Sequence, residues 1–524
     1  MLQNNVNVQR FHDIAPALLK ESRGDIQFTS PSKYCAQFML GPFFMQERCG
    51  WHQLPLSHSL KLTLSPELSS SSVKEGSRSL TVIGSILDPH HPAASDAEIL
   101  KDLMCRFSSI ETLTESTAKF GGRWVMIAIF NEHAWLFHDA LGLRQVFYTD
   151  KAATGAVWSM SQPSIAGELL RFDCDPAALG FMDSYEVRSN KEYRWPAQAT
   201  IYREVKHLLP NHYLDLVRGE TRRYWPTQKV QVLGLDEAVD TLATLLSGLV
   251  EAASRRFDLA LGLTAGLDSR MVLAACRPII EKISCITVRQ ASMSEDHHDL
   301  VVPPKLLASL GLSHQIIPAP ASMSTNFSRR FKHNTGFAHD HYGPDVEAIL
   351  NYFRRTKVAL TGSGAEVGRC SFRAQLPGVK EKDIGPAELA MLQKMAGSSF
   401  ALEHFAAWQM GVVERNGVHL LDLFEWEQGH GNWLAMTLLE FDLAWRDIFT
   451  PFNCRSVLST MLGVKETYRS EPNHILFKKL IKKLWPETLL EPINPGHDRS
   501  TAKLLRRKLK FWMNYGSREP FLAS

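Results

Sequence analysis

The sequence lacks several features that would assign it to a specialised class of protein. No apolar run approaches the ~18 residues that a membrane-spanning helix needs, so no membrane span is predicted. The first residues, MLQNNVNVQRFHDIAPALLK, lack the basic start and apolar centre of a secretion signal, which favours a cytoplasmic location. The eight cysteines are scattered without a CxxC pair, which indicates reduced thiols rather than a cysteine metal site.

An excess of charge of one sign is also absent. The net charge of +3 gives no indication of nucleic acid as a partner, and none is predicted. The exception is the segment 499–518, which carries seven Lys or Arg residues and no acid. Two interpretations of this segment stay open: a solvated amphipathic helix, or a lid that faces a polyphosphate or an anionic partner.

What is present is an ordinary globular composition, 44% hydrophobic and 22% charged, in a chain of 524 residues that suits two or three domains. The first part of the chain favours strands. RWVMIAIF (123–130) and AWLFHD (134–139) flank Asn-Glu-His and predict a β-hairpin. SPELSSSSVKEGSRS (65–79) is polar and of low complexity, so we expect a surface loop there.

Beyond residue 225 the pattern changes to alternating strands and helices. Asp236 is expected to cap a helix that carries leucines on one face. Four apolar runs predict strands at 259–263, 283–288, 314–318 and 358–361. Strand, turn and helix in this repeated order predict a parallel sheet that binds its ligand at the carboxyl ends of the strands. The patterns after residue 386 predict a helical extension.

The turn after the first of these strands, Thr-Ala-Gly-Leu-Asp-Ser, combines small residues with two hydroxyls and an acid. Gly266 permits a sharp change of backbone direction. The free N–H groups at the start of the next helix, with the hydroxyls of Thr264 and Ser269, would suit a phosphate. Asp268 opposes phosphate binding unless a cation such as Mg²⁺ lies between them. The alternative is a tight strand-to-helix turn in which Asp268 caps the helix.

LTAGLDS resembles the SGGxDS pyrophosphate loop of the asparagine synthetase superfamily, which belongs to the adenylating ATP pyrophosphatases. TGSGAEVG, after the strand at 358–361, resembles that family's SGDGADE segment. The resemblance implies ATP and Mg²⁺ as cofactors, with Asp268 and Glu366 holding the metal. It also implies that further residues bind the nucleotide, namely Thr264, Ala265, Gly266, Leu267, Ser269, Thr287, Val288, Asp299, Gly362 and Gly364.

The resemblance extends over most of the chain. FGGRWVMIAIF and AWLFHDALGLRQVFYT resemble the core of the family's glutamine-hydrolysing domain, and TPFNCRSV and ILFKKLIKKLWPETLLEPINPGH resemble parts of its synthetase domain. The implied fold class is α/β with two domains. An Ntn-hydrolase-like, β-rich sandwich is expected at residues 1–225, and a parallel-sheet PP-loop synthetase domain with a helical extension is expected at residues 226–524.

Two departures from the family pattern concern glutamine hydrolysis. The family's nucleophile is a cysteine at position 2, where this chain has Leu2, and leucine cannot replace a thiolate. The family's glutamine-holding NGE segment corresponds to VIGS (82–85), and the nearest cysteine is Cys35. Glutaminase activity is therefore expected to be absent, and in this respect the chain resembles β-lactam synthetases and lasso-peptide cyclases.

Two further departures concern the synthetase site. Ser363 stands where the family has an acid, or in β-lactam synthetase a tyrosine, that reaches the acceptor substrate, so a catalytic contact is predicted there. Asn494 stands near the position of the family's catalytic lysine, which stabilises charge as pyrophosphate leaves. One of three nearby basic residues is predicted to take over that role: Arg499, Lys503 or Arg506.

Together these features predict an ATP-dependent carbon–nitrogen ligase that adenylates a carboxylate and transfers it to an amine. Its partners are expected to be a small molecule or peptide with those two groups, and a homodimer or a second biosynthetic enzyme is left open. Two alternatives remain: amidation of a sugar acid or surface-polymer precursor with external ammonia, and a non-catalytic nucleotide-binding scaffold. His339 and His341 are candidates for substrate contact.

Overall fold

The computed structural model describes residues 34–45, 50–339 and 341–495. These residues form two six-stranded antiparallel sheets, followed by a five-stranded parallel sheet with helices around it. The predicted fold class, a β-rich sandwich followed by a parallel α/β sheet, is confirmed. The division into two domains at residue 225 stays a prediction. In the described ranges no helix has both the length and the apolar character needed to cross a membrane.

The strands of the sandwich are short, and most pair with a neighbour in the sequence. They are β1 (Phe38–Gly41), β2 (His52–Pro55), β3 (Lys61–Leu64), β4 (Ser70–Glu75), β5 (Arg78–Leu87), β6 (Gly121–Phe130), β7 (His133–His138), β8 (Phe147–Thr149), β9 (Ser159–Met160), β10 (Val205–His207), β11 (His212–Asp215) and β12 (Glu220–Arg223). The first sheet has the order β10-β8-β9-β1-β3-β2, and the second has the order β12-β11-β7-β6-β5-β4.

The sandwich buries apolar side chains in three layers. Alternate residues such as Leu62 of β3 and Ile127 of β6 fill the space between the two sheets. Helices cover the outer faces, with Leu103 on the second sheet and Phe181 on the first. These helices are α1 (Asp96–Arg106), α2 (Ile110–Ser116), α3 (Lys151–Thr154), α4 (Pro163–Leu170), α5 (Pro176–Met182) and α6 (Tyr185–Ser189). The layer order is therefore helix, sheet, sheet, helix.

The parallel sheet is built from β13 (Leu259–Gly262), β14 (Ser284–Arg289), β15 (Gln315–Pro318), β16 (Val358–Leu360) and β17 (Ile448–Phe449). The strand order is β15-β14-β13-β16-β17, and every pair is parallel. The chain thus adds β14 and β15 on one side of β13, and it then adds β16 and β17 on the other side. Such a reversal leaves a crevice at the carboxyl ends of the strands, where open α/β sheets bind ligands.

Helices pack on both faces of the parallel sheet and continue to the end of the described chain. They are α7 (Leu235–Arg256), α8 (Leu267–Ala275), α9 (His298–Ser309), α10 (Thr325–Thr335), α11 (Gly343–Phe353), α12 (Ser371–Gln375), α13 (Pro386–Leu392), α14 (Ser399–Met410), α15 (Leu420–Phe424), α16 (Ala435–Phe441), α17 (Arg455–Leu462), α18 (Glu466–Arg469) and α19 (Ile475–Leu484). Between α15 and α16, residues Glu425–Leu434 form a π-helix, so that Leu420–Phe441 is one continuous helical rod.

Buried ion pairs join the sandwich to the parallel-sheet region. Arg123 of β6 donates to Asp442, with 3.0 Å between Nη2 and Oδ2, and Arg144 lies 2.9 Å from Asp447 Oδ2. The two arginines are almost completely buried. A buried charge is tolerated only when it is paired, so these contacts fix how the two halves of the chain meet.

The structure corrects two details of the expected secondary structure and confirms a third. Residues 65–79 are not a loop, because β4 forms a hairpin with β5 at the edge of the second sheet, where polar side chains remain solvated. Asp236 does not cap α7, which begins at Leu235 with Gly234 at the N-cap. The predicted hairpin of β6 and β7 is confirmed.

Candidate functional site

A cavity of about 400 Å³ lies at the carboxyl ends of β13, β14 and β16. Four carboxylates line it, those of Asp268, Asp299, Asp345 and Glu366, and no Lys or Arg is among its described lining residues. A phosphorylated ligand would therefore enter this cavity only together with a cation. A larger groove, of about 1180 Å³, lies beside β12, α7 and α17 and contains none of the predicted site residues.

The turn between β13 and α8 is held by its own hydroxyls. Thr264 Oγ1 lies 2.9 Å from Ser269 Oγ and accepts a hydrogen bond of 3.1 Å from the N–H of Gly266. Ser269 Oγ in turn accepts a hydrogen bond of 3.2 Å from the N–H of Thr264. The N-cap of α8 is Gly266, which has no side chain to cap the helix, and such an uncapped helix start is suited to bind an anion.

Asp268 does not cap α8, in contrast to the structural alternative considered for the sequence. It lies in the first turn of that helix, and its Oδ1 is buried without a hydrogen-bond partner among the described residues. The two carboxylates expected to hold a metal meet at one arginine that the sequence interpretation missed. Arg369 Nη2 lies 3.0 Å from Asp268 Oδ2 and 3.2 Å from Glu366 Oε1. Asp268 and Glu366, 98 positions apart, are therefore brought together as predicted.

The loop after β16, here called the second loop, is in backbone contact with the turn between β13 and α8, here called the first loop. A Cβ added at Gly362 would lie 2.4 Å from the carbonyl carbon of Asp268. Gly364 has a φ of 101°, a conformation that favours glycine, and its N–H donates to Glu366 Oε2 over 2.9 Å. Two glycines thus allow the loop to turn its acid back towards Asp268.

The surroundings of Asp268 and Glu366 shift the pKa values of the two carboxylates in opposite directions. Burial and the neighbouring charge of Glu366 raise the pKa of Asp268. Burial also opposes ionisation of Glu366, but Arg369 and His430 outweigh it, and the pKa of Glu366 is lowered. His430 Nε2, from the π-helix, lies 3.4 Å from Glu366 Oε2. The pair therefore retains one firmly ionised carboxylate, that of Glu366.

The other predicted residues divide into two groups. The cavity wall includes Thr264, Asp268, Ser269, Thr287, Val288, Asp299, Gly362, Ser363 and Glu366. The Ala265 N–H donates to Asp299 Oδ1 over 2.7 Å, so that donor is already engaged. Leu267 is buried in the hydrophobic core, and an added Cβ at Gly364 would lie 2.7 Å from Leu141. Gly266 lies beside the cavity in the first loop, and whether these residues bind nucleotide stays a prediction.

A second wall of the cavity was not anticipated from the sequence. It is apolar and aromatic, and it comes largely from the end of the continuous helix and from α11, with Tyr342, Ile349, Leu434, Leu438, Phe441 and Trp445. The helical spacing of these residues marks them as core, and no local signal shows that they face a ligand.

His339, a candidate for substrate contact, does not line the cavity. It is fully buried, pairs with Glu440 and lies 3.2 Å from the hydroxyl of Thr437, which does line the cavity. His339 thus supports the cavity wall from behind. Tyr342, three residues further along, reaches the cavity instead.

Comparison with known proteins does not assign the chain to a family. No protein-family model matches the sequence, and no curated protein matches it. Solved structures that match include the glutamine phosphoribosylpyrophosphate (PRPP) amidotransferase from B. subtilis complexed with ADP and GMP. The match has 9% sequence identity and a TM-score of 0.24, and it covers 57% of this chain and 87% of that chain. A likeness of this size supports no argument about fold or function.

The described residues fit Mg²⁺ only if phosphate oxygens complete its coordination. Within 34–45, 50–339 and 341–495, no group of three or more His, Cys, Asp or Glu side chains converges to hold a metal ion. Mg²⁺ commonly binds one or two carboxylates together with substrate phosphates and water. Asp268 Oδ1, buried and unpartnered, is the atom that such an ion would satisfy.

Cys35, the cysteine nearest to position 2, is not placed as a nucleophile. Cys35 is buried, its N–H donates to Asn334 Oδ1 over 2.8 Å, and burial raises the pKa of its thiol to about 12. Residues 82–85 lie inside β5 rather than in a binding loop. Leu2 lies outside the described residues.

Asn494 lies against the turn between β13 and α8. Its N–H donates to the carbonyl oxygen of Ala265 over 2.9 Å, so position 494 does meet the loop expected to bind pyrophosphate. Asparagine brings no charge to that contact. Arg499, Lys503 and Arg506 lie outside the described residues, and their catalytic role stays a prediction.

Proposed function

We propose that the chain is an ATP-dependent ligase that joins a carboxylate to an amine and releases AMP and pyrophosphate. The observation that carries the proposal is that Asp268 and Glu366 converge beside the uncapped start of α8. They meet at the carboxyl ends of β13 and β16, where the strand order of the parallel sheet reverses. Two carboxylates next to free helix N–H groups suit a phosphate chain that arrives with a divalent cation.

Each part of the cavity has a place in this reaction. The first loop and the start of α8 bind the phosphates, and Thr287 and Val288 at the end of β14 face the base. Thr287 is held in position because its hydroxyl donates to the carbonyl of Leu263 over 2.7 Å. Mg²⁺, when bound with the nucleotide, would offset the charge that develops on the leaving pyrophosphate.

The chemistry proceeds in two displacements at the other side of the cavity. The substrate carboxylate attacks the α-phosphorus and pyrophosphate leaves; the amine then attacks the acyl carbon, AMP leaves, and the amine loses a proton. Ser363 belongs to the loop after β16 and lines the cavity, and its carbonyl accepts a hydrogen bond from Thr450 Oγ1 over 2.6 Å. The apolar wall, including Phe441 and Trp445, excludes water that would hydrolyse an acyl-adenylate.

The amine comes from outside the chain in this proposal. Cys35 is buried and its thiol has a pKa raised to about 12, so this cysteine is not suited to release ammonia from glutamine. A substrate amine, a peptide terminus or free ammonia then serves as the acceptor.

The decisive experiment is binding of a non-hydrolysable ATP analogue with Mg²⁺, measured by calorimetry on the wild type and on Asp268→Ala. We expect the substitution to weaken binding at least about tenfold, which corresponds to about 1.4 kcal/mol. Asp236→Ala is the matched control, because Asp236 is an exposed acid that pairs with Lys479 away from the cavity. Absence of binding to the wild type, or equal binding to Asp268→Ala, would contradict the proposal.

A non-catalytic nucleotide-binding protein is the second candidate. Two observations favour it: Asn494 brings no cation to the first loop, and Arg369 already lies between the two carboxylates. Pyrophosphate release, screened with amino acids, sugar acids and short peptides in the presence of ammonia, separates the two functions. Binding of the nucleotide without release of pyrophosphate in any such screen would favour the second candidate.

A further inference from the structure

Arg369 lies where the two acidic side chains of the site converge. One nitrogen of its guanidinium, Nη2, contacts both Asp268 Oδ2 and Glu366 Oε1, at 3.0 and 3.2 Å. Arg369 ends the short helix Ala365–Arg369, three residues after Glu366, so the same turn supplies the acid and its counter-ion. The guanidinium is largely buried, and its Nε has no hydrogen-bond partner among the described residues.

The surroundings hold the guanidinium in this place by charge. Besides Asp268 and Glu366, the carboxylate of Glu471 also attracts it. His430, on the far side of Glu366, contacts the other oxygen of that carboxylate. Arg369 thus neutralises the acids of the site from within the protein.

A divalent cation and this guanidinium exclude each other. Both would bind to the carboxylates of Asp268 and Glu366, which Arg369 already contacts at Oδ2 and Oε1, and two positive charges that share one pair of carboxylates repel each other in a partly buried site. A bound polyphosphate changes the balance, because it brings additional negative charge and offers the planar guanidinium another acceptor that it can bind with two hydrogen bonds.

We infer that Arg369 is an internal counter-cation that excludes divalent metal from Asp268 and Glu366 until a nucleotide is bound. The exclusion of metal concerns the nucleotide-free protein alone. The release of this exclusion by a bound nucleotide rests on the proposed function. Metal and nucleotide would therefore bind as one complex, and the protein would not hold the metal beforehand.

The test is Mn²⁺ binding to the nucleotide-free, full-length protein, followed by electron paramagnetic resonance of free Mn²⁺. We expect weak binding to the wild type and binding at least about tenfold tighter in Arg369→Met, because this substitution removes the one cation that contacts both carboxylates in the described structure. Arg369→Lys, which keeps the charge, should resemble the wild type. Arg188→Met is the matched control, since Arg188 forms an exposed ion pair with Asp183.

A second substitution places the gained Mn²⁺ at this site. Adding Glu366→Gln to Arg369→Met should return the affinity for Mn²⁺ to about the wild-type level. If Arg369→Met fails to fold, the melting temperature of Arg369→Gln is measured with and without Mn²⁺, and only the variant should be stabilised. Tight Mn²⁺ binding by the nucleotide-free wild type, or no gain on removing the charge of Arg369, would overturn the inference.

The outcome is separable from the test of the proposed function. If Arg369→Met gains Mn²⁺ binding but neither the wild type nor any variant binds nucleotide, the ligase proposal is contradicted and the role of Arg369 as a counter-cation is supported. If nucleotide binding depends on Asp268 but Arg369→Met gains no Mn²⁺ binding, the ligase proposal is supported and the role of Arg369 as a counter-cation is contradicted.

Discussion

Gly362 is the residue at which the two loops of the candidate site touch. An added Cβ would lie 2.4 Å from the carbonyl carbon of Asp268 and 2.7 Å from the N–H nitrogen of Ser269. Both neighbours are backbone atoms and cannot rotate away. The glycine therefore lets the loop after β16 lie directly on the start of α8, which brings Glu366 to Asp268.

At this residue we predict that Gly362→Ala separates the two loops. The expected cost is about 1–3 kcal/mol in the free energy of unfolding, as for other overpacked positions, together with weaker binding of the nucleotide. Urea denaturation and calorimetry measure the two effects. Gly180→Ala in α5, with open space around its Cβ, is the control and should be neutral or slightly stabilising. Equal behaviour of the two variants would contradict the prediction.

Among the elements, the continuous helix Leu420–Phe441 links most parts of the site. Its π-helical middle, Glu425–Leu434, is an arrangement that is rare in proteins and frequent at functional sites. The wider turn places His430 against Glu366, with its Nδ1 3.0 Å from the carbonyl of Glu425. The end of the rod then presents Phe441 to the cavity. Burial raises the pKa of Glu425 to about 8, so this acid is largely protonated at neutral pH.

The position of this helix depends on a glycine contact. A Cβ added at Gly431 would lie 2.5 Å from Pro210 Cδ, whereas one added at Gly429 meets only ordinary contacts at 3.7 Å and beyond. We predict that Gly431→Ala lowers the free energy of unfolding by about 1–3 kcal/mol and weakens nucleotide binding by displacing His430. Gly429→Ala should change the free energy of unfolding by less than about 0.5 kcal/mol. Denaturation and calorimetry on both variants test the pair, and equal losses would refute the role of the Pro210 contact.

At the scale of the whole molecule, the sandwich and the parallel-sheet region share polar contacts that water does not reach. His207 of β10 is fully buried, stacks on Phe147, and its Nδ1 lies 3.0 Å from Asn432 Oδ1 in the π-helix. Burial, with a smaller effect from His138, lowers the pKa of His207 to about 3. The imidazole is therefore neutral in the folded protein over the whole physiological range.

This histidine makes the stability of the molecule depend on pH. A lowered pKa in the folded state means that the stabilisation is complete above the unfolded value of about 6.5 and is lost as the pH falls towards 3. Between pH 7 and pH 5 we expect His207 to account for a loss of about 2 kcal/mol in the free energy of unfolding. Urea denaturation at pH 7 and pH 5 measures the decrease in the free energy of unfolding. This decrease should be about 2 kcal/mol smaller in His207→Gln than in the wild type. Identical decreases would exclude His207 as the cause.

The architecture was predictable because it depends on local patterns. Buried apolar runs followed by helices, as at 259–263 and 283–288, predict parallel strands whatever surrounds them, and the structure has those strands. The small-residue turn with Asp268 and the later segment with Glu366 were likewise visible, since each combines a strand end with glycine and an acid. The exception was β4, whose serines have no apolar alternation and pair only because β5 lies beside them.

By itself, the sequence determined the succession of strands and helices, the two loops and the absence of a cysteine at position 2. Only the tertiary structure decided what stands between the acids of those loops. Arg369, which follows β16, contacts Asp268, which follows the neighbouring strand β13, and His430 comes from a π-helix that no local pattern predicts. Contacts between residues distant in the chain depend on packing, and a helix with an irregular turn changes which side chains face inward. For that reason the apolar wall of the cavity and the position of Arg369 had to be seen in three dimensions.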